Sequence, residues 1–119
     1  MNTPEPAGFA AQWAAAWNRR DVDAVLAHFH DDVVFTSPIA AEFVPGSSGV
    51  VRGKAALREY WCTAVKAVPD LHFDIVGVYR GVSVLVINYR NQSGTLVSEV
   101  LEFDGGLVRR GHGTYLVDG

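Results

Sequence analysis

The residues best suited to chemistry in this chain lie near its C-terminal end: Glu99, Arg110 and His112. Two strand-like runs, 95–103 and 107–116, flank Asp104-Gly105-Gly106. A two-residue turn at the paired glycines sets Asp104 opposite Leu107. Counting back along that hairpin puts Glu99 across from His112, Leu101 across from Arg110, and Val97 across from Thr114. A carboxylate beside an imidazole orients the ring and raises its pKa, while an apolar wall raises that of the carboxylate. Such a pair transfers protons near neutral pH, as enolisation, cyclisation or epoxide opening requires. Glu99 and His112 are therefore the candidate catalytic residues, with Arg110 pairing with Glu99 or positioning it. The structural alternative is a cross-strand ion pair between Glu99 and Arg110 that holds the sheet register.

Around that pair the sequence supplies a lining. Trp13, Phe35, Phe43 and Trp61 are candidate aromatic walls, Leu101 shares the strand face of Glu99, and Ser37 and Asn88 can orient a ligand oxygen. Trp17 reads as ordinary core, Tyr60 as pointing outward, and the stretch 43–45 as a lid. Other candidates fail on spacing. His28 and His30 are two apart near a helix end and face different ways, so His28-Phe29-His30-Asp31-Asp32 is not a metal cluster. The stretch 48–55 lacks the first glycine and the final Ser or Thr of a phosphate-binding loop. Cys62 reads as a buried thiol with no activating partner, and His72 as surface.

The elements that must position these groups follow from periodicity. Phe9, Trp13, Ala16 and Trp17 form one helical stripe, and Asp21 caps a second helix whose apolar face is Val22, Val25, Leu26 and Phe29. Residues 33–37 form a strand stopped by Pro38, 38–53 a long loop, and 54–68 a third helix closed by Pro69-Asp70. Runs 71–79, 82–91, 95–103 and 107–116 are separated by turns too short for crossover helices, so they form an antiparallel meander. The order ααβαββββ defines an α+β domain, one unit over 1–119 with residues 1–7 a loose leader. A tight turn at 92–93 or 93–94 places Val84, Val86, Asn88 and Arg90 on the face of Val97, Glu99, Leu101 and Phe103. The opposite face, with Leu85, Ile87, Tyr89 and Val100, is also apolar. Two apolar faces need two covers, and a homodimer through the outer sheet face supplies the second.

Composition removes whole classes of function. The chain has 119 residues, 49% hydrophobic and 19% charged, with a formal net charge of −3. That balance lacks the basic patch of a nucleic-acid binder or a membrane-surface helix. A single cysteine excludes an internal disulfide and a cysteine-based zinc site. No apolar run approaches the ~20 residues that span a bilayer, and the N-terminus carries no secretory pattern. The expectation is a cytoplasmic domain that uses no cofactor.

Three stretches carry a family resemblance: Trp17-Asn18-Arg19-Arg20-Asp21-Val22-Asp23-Ala24-Val25, Phe29-His30-Asp31-Asp32-Val33-Val34-Phe35, and Val51-Arg52-Gly53-Lys54-Ala55-Ala56-Leu57. With the ending at Asp104-Gly105-Gly106, the chain resembles the nuclear transport factor 2-like superfamily, in its SnoaL-like and ketosteroid-isomerase-like branch. The resemblance implies a cone-shaped curved sheet around helices, an apolar pocket walled in part by Trp13 and Trp61, and usually a dimer. It implies a small apolar organic ligand and, in many members, cofactor-free isomerase, cyclase or hydrolase chemistry. It does not imply standard steroid isomerisation. The base that chemistry places before the first-strand proline is here Ser37, and the tyrosine donor of the first helix is Trp13. Only the fourth-strand acid has a counterpart, Glu99. The alternative within the same fold is a non-catalytic ligand-binding or dimerisation module.

Overall fold

The computed structural model describes residues 3–118. Helix α1 (Pro6–Asn18) opens with Pro6 in the first turn, where its missing N–H costs nothing, and the Glu5 carboxylate accepts from the Ala7 and Gly8 amides. It starts three residues before the expected Phe9, so residues 6 and 7 of the expected leader are helical, while residues 1 and 2 lie outside the described residues. The α1 residues Phe9, Ala10, Trp13, Ala14, Ala16 and Trp17 are buried. At its end Asn18 exchanges two hydrogen bonds with the Phe73 backbone, 3.1 Å from Nδ2 to the carbonyl and 2.8 Å from the amide to Oδ1. Those bonds tie the helix to the entry of the sheet.

Asp21 caps the short α2 (Val22–Leu26) through the Ala24 amide. Strand β1 (Phe29–Thr36) then begins earlier than expected, because Phe29 belongs to the strand and not to the helix face. The stretch anticipated as loop holds two elements, α3 (Pro38–Phe43) and β2 (Val50–Arg52). Ser37 starts α3 by accepting the Ile39 amide at 3.1 Å, with Pro38 at the first helical position. Helix α4 (Lys54–Ala67) and strands β3 (Asp74–Arg80), β4 (Val84–Arg90), β5 (Leu96–Asp104) and β6 (Leu107–Tyr115) complete the chain.

The six strands form one sheet in the order β2-β1-β6-β5-β4-β3, antiparallel except for β1 beside β6. The expected meander is present, but both of its inner registers differ from a tight-turn count. Asn91 pairs with Thr95 around a three-residue loop, with Gly94 at φ 79° and the Asn91 side chain accepting the Ser93 and Thr95 amides. An odd loop reverses the parity, so Ile87 pairs with Glu99 and Tyr89 with Val97. The buried face therefore combines Leu85, Ile87 and Tyr89 with Val97, Glu99, Leu101 and Phe103. Asn88 faces outward, hydrogen-bonded to Ser98.

The last hairpin turns as expected, Asp104 opposite Leu107, yet Arg109 is an extra residue in β6. Phe103 pairs with Val108 but Glu102 pairs with Arg110. Beyond this bulge the register is offset by one, a shift that exchanges the two faces. Glu99 lies opposite Gly113, Leu101 opposite Gly111, and His112 opposite Val100 on the outer face. The expected Glu99–His112 and Leu101–Arg110 pairings do not form.

The glycines at 111 and 113 follow from the space they face. A Cβ on Gly111 would lie 2.8 Å from Phe35 Cδ1 and 3.3 Å from Leu101 Cδ2, both side chains fully packed. Gly111→Ala is expected to destabilise by ~1–3 kcal/mol through overpacking. In urea denaturation it should fall well below Gly77→Ala, whose added Cβ meets nothing within 4 Å.

Candidate functional site

Between α1, α3, α4 and the buried sheet face lies a cavity of about 310 Å³. Trp13 and Trp17 reach it from α1, Tyr60 and Trp61 from α4, and Phe43 and Glu42 from α3, while the strands contribute Phe35, Tyr89, Glu99 and Tyr115. The rings brace one another. Trp61 lies 4.9 Å from Trp17 and 5.2 Å from Phe35 between ring centres, and Tyr89 lies 4.4 Å from Phe73 and 5.2 Å from Trp13. Edge-on and tilted pairs of this kind hold wall positions more firmly than aliphatic packing alone.

Glu99 is the polar centre of the cavity wall. It is 6% exposed, and its one hydrogen bond among the described residues is a long one, 3.4 Å from the Tyr89 hydroxyl to Oε1. Ser37 and Glu99 flank Gly113: a Cβ there would sit 3.3 Å from Ser37 Oγ and 3.8 Å from Glu99 Oε1. Among the described residues no Lys, Arg or His lines the cavity. Burial without a counter-charge pushes the carboxyl up to about 8, and the Tyr89 hydrogen bond opposes this only in part. Near neutral pH Glu99 is therefore mostly the neutral acid, able to give its proton and, once ionised, to take one.

The surrounding phenols stay protonated. Burial is the main reason for Tyr60, Tyr89 and Tyr115 alike, and the Glu99 charge pushes all three the same way. The cavity thus offers three phenolic O–H groups beside one carboxyl in an aromatic enclosure. Two lining residues also carry a buried polar atom with no partner, Nε1 of Trp17 and Oε1 of Gln92.

Six of the residues singled out in the sequence meet at this cavity: Trp13, Phe35, Ser37, Phe43, Trp61 and Glu99. Leu101 is fully buried on the same face but outside the cavity wall. Asn88, Arg110 and His112 lie on the other face of the sheet. There His112 bridges Thr36 Oγ1 at 2.7 Å and Glu102 at 3.0 Å. Tyr60, expected outward, is buried, because α4 is covered on two sides and Phe43 of α3 packs beside it at 6.1 Å. Trp17 is core and also cavity wall. Tyr89 and Tyr115 were assigned no role by the sequence; the odd loop at 92–94 brings Tyr89 inside, and the bulge does the same for Tyr115, opposite Val97. Among the described residues no three His, Cys, Asp or Glu side chains are grouped to hold a metal ion.

A half-open sheet wrapped on helices, with one buried acid in an aromatic cavity, defines an α+β pocket protein. The SnoaL-like domain matches residues 10–110, and the chain belongs to that family. A SnoaL-like protein of unknown function from Burkholderia thailandensis is 33% identical, with a TM-score of 0.87 over 95% of this chain and 100% of that one. An NTF2-like protein of unknown function from Cytophaga hutchinsonii shares the fold at 11% identity and a TM-score of 0.72, over 98% of this chain and 95% of that one. TerC, co-crystallised with polyporic acid, shares it at 14% identity and a TM-score of 0.75, over 92% and 90%. The fold is thus NTF2-like, as the sequence resemblance implies.

An acid whose pKa is raised on folding binds its proton more tightly in the native state. Stability then falls as pH rises from the ordinary 4.5 to about 8, and levels off above. Glu99→Gln removes this slope. Between pH 5 and pH 8.5 the wild-type melting temperature is expected to drop by about 5 °C or more relative to that variant, read by calorimetry.

Proposed function

We propose that the cavity binds a small, largely apolar organic molecule and that Glu99 exchanges a proton with it, as a cofactor-free isomerase, cyclase or epoxide hydrolase would require. The observation that carries this reading is a carboxyl buried in an aromatic cavity with no cation beside it. Burying an unpaired carboxyl is costly and contributes no packing that a leucine would not. A proton-transfer role accounts for it, since an acid half-ionised near pH 8 is matched to reactions near neutrality. Trp13, Phe35, Phe43 and Trp61 shape the ligand body, and Ser37 with the three phenols holds its oxygen. TerC, of the same fold, was co-crystallised with polyporic acid, which supports a small organic ligand for this cavity.

The residues on the outer face have no part in this chemistry. His112 belongs instead to the second expectation for this chain, a homodimer through the outer sheet face. Exposed Tyr79 and part-exposed Val84, Val86 and Val100 on that face support it. One observation favours a non-catalytic module: Ser37 is engaged as the α3 cap and His112 is outside, so among the described residues the other acids at the cavity are protonated phenols and the exposed Glu42.

Thermal shift against steroids, monoterpene epoxides and polyketide-like aromatics tests the reading. A ligand at ~100 times its dissociation constant adds about 2.7 kcal/mol of stability. Trp61→Ala is expected to weaken a hit about tenfold. Glu99→Gln should leave binding largely in place and cut turnover by ~100-fold or more. Binding that is retained with turnover unchanged in Glu99→Gln would sink the acid–base role, and binding without any turnover in the wild type would leave the module.

A further inference from the structure

We infer that the cavity excludes anions and admits uncharged or positively charged organic molecules, with Glu42 acting beside Glu99 as the residue that sets this preference. The inference rests on the reading that the cavity binds a ligand at all, and it adds the charge of that ligand.

Among the described residues, the only ionisable acids and bases lining the cavity apart from the phenols are two carboxyls, one on α3 and one on β5. Glu42 stands on the α3 wall, exposed to solvent, and Glu99 is buried in the sheet wall. The remaining lining is dominated by Trp13, Trp17, Phe35, Phe73 and Trp61, which supply no counter-charge. A carboxylate or phosphate entering this space gives up water and meets no Lys, Arg or His in return, among the described residues.

The reach of the Glu42 charge is visible in its neighbours. Burial is the chief cause that keeps Tyr60 and Tyr115 protonated, a Ser37 hydrogen bond opposes it, and the charges of Glu99 and, least of all, Glu42 add to it. A negative potential that opposes two phenolates opposes a ligand carboxylate in the same volume. The phenolic O–H groups give a carbonyl or hydroxyl oxygen its hydrogen bonds without the cost of a buried charge. For a cation the balance reverses, because the ring faces and the Glu42 carboxylate both attract it.

Three probes with one body separate charge from shape: 2-naphthylmethanol, 2-naphthylmethylammonium and 2-naphthoate. All three tryptophans of the chain line the cavity. Their indole N–H resonances report binding in ¹H–¹⁵N spectra. At pH 7.5 and low salt the carboxylate is expected to bind at least about tenfold more weakly than the alcohol, and the ammonium at least as tightly as the alcohol. Glu42→Gln should narrow the gap between acid and alcohol by about threefold, as should ~0.5 M salt in the wild type, since the Glu42 charge is exposed to screening. Equal binding of acid and alcohol, or a gap that Glu42→Gln leaves intact, overturns the charge filter alone. Failure of all three probes to move any indole resonance overturns the binding reading and the filter with it.

Discussion

The arrangement around Glu99 depends on one extra residue, Arg109, in strand β6. Its insertion offsets the β5–β6 register after the turn, so that glycines rather than side chains stand opposite Leu101 and Glu99. Gly111 lets the Phe35 ring lie against the sheet, and Gly113 leaves the space that Ser37 and Glu99 share. A larger residue at 111 would press on the Phe35 ring, and one at 113 would crowd Ser37 and Glu99. The same offset carries His112 to the outer face, which leaves Glu99 without a base beside it. Arg109 itself is held on the surface by Asp104 at 2.9 Å and Asp32 at 3.2 Å. Exposed ion pairs of this kind contribute little energy, so the bulge is maintained by the packing it permits.

From that constraint the electrostatics follow. A carboxyl on a glycine-flanked inner face, under Trp13, Trp61 and Tyr89, has lost its water without gaining a cation. A single long hydrogen bond from Tyr89 does not offset the loss, and the proton stays on to about pH 8. The phenols nearby are held protonated by the same burial. Their common environment makes the site a set of hydrogen-bond donors with one group that changes charge near neutrality. That is a different device from a carboxylate–imidazole pair, in which the ring would hold the acid ionised.

Much of this was legible in the sequence, for physical reasons that differ from residue to residue. The helical stripe of Phe9, Trp13 and Trp17, the Asp21 cap and the close-spaced strands fix the α+β order, because period and punctuation are local signals. Glu99 stands out as the one acid on an otherwise apolar strand face and as the counterpart of the family's fourth-strand acid, and the resemblance marks Trp13 and Trp61 as walls. Register was not local. Gln92-Ser93-Gly94 reads equally as a two- or three-residue turn, and nothing in Val108-Arg109-Arg110 announces a bulge. A single-residue shift moves a whole face, which is why Asn88, Arg110 and His112 face outward and Tyr89 inward, against the tight-turn count. One signal did point the other way. Gly111 and Gly113 alternate around His112 in a strand, the spacing expected where an inner face is crowded and the residue between them faces out. Tyr60 turns inward because α3 covers the second side of α4, and the prolines, glycines and serines of 38–53 carry no helical stripe that announces α3.

The claim on which the account rests is that Glu99 keeps its proton at neutral pH, and the most direct measurement is a titration of its side-chain carboxyl carbon by ¹³C NMR, assigned with Glu99→Gln. A midpoint near 8 is expected, far from the ordinary 4.5. A midpoint close to that ordinary value would mean that water or a cation stabilises the carboxylate, and the acid–base reading would be contradicted.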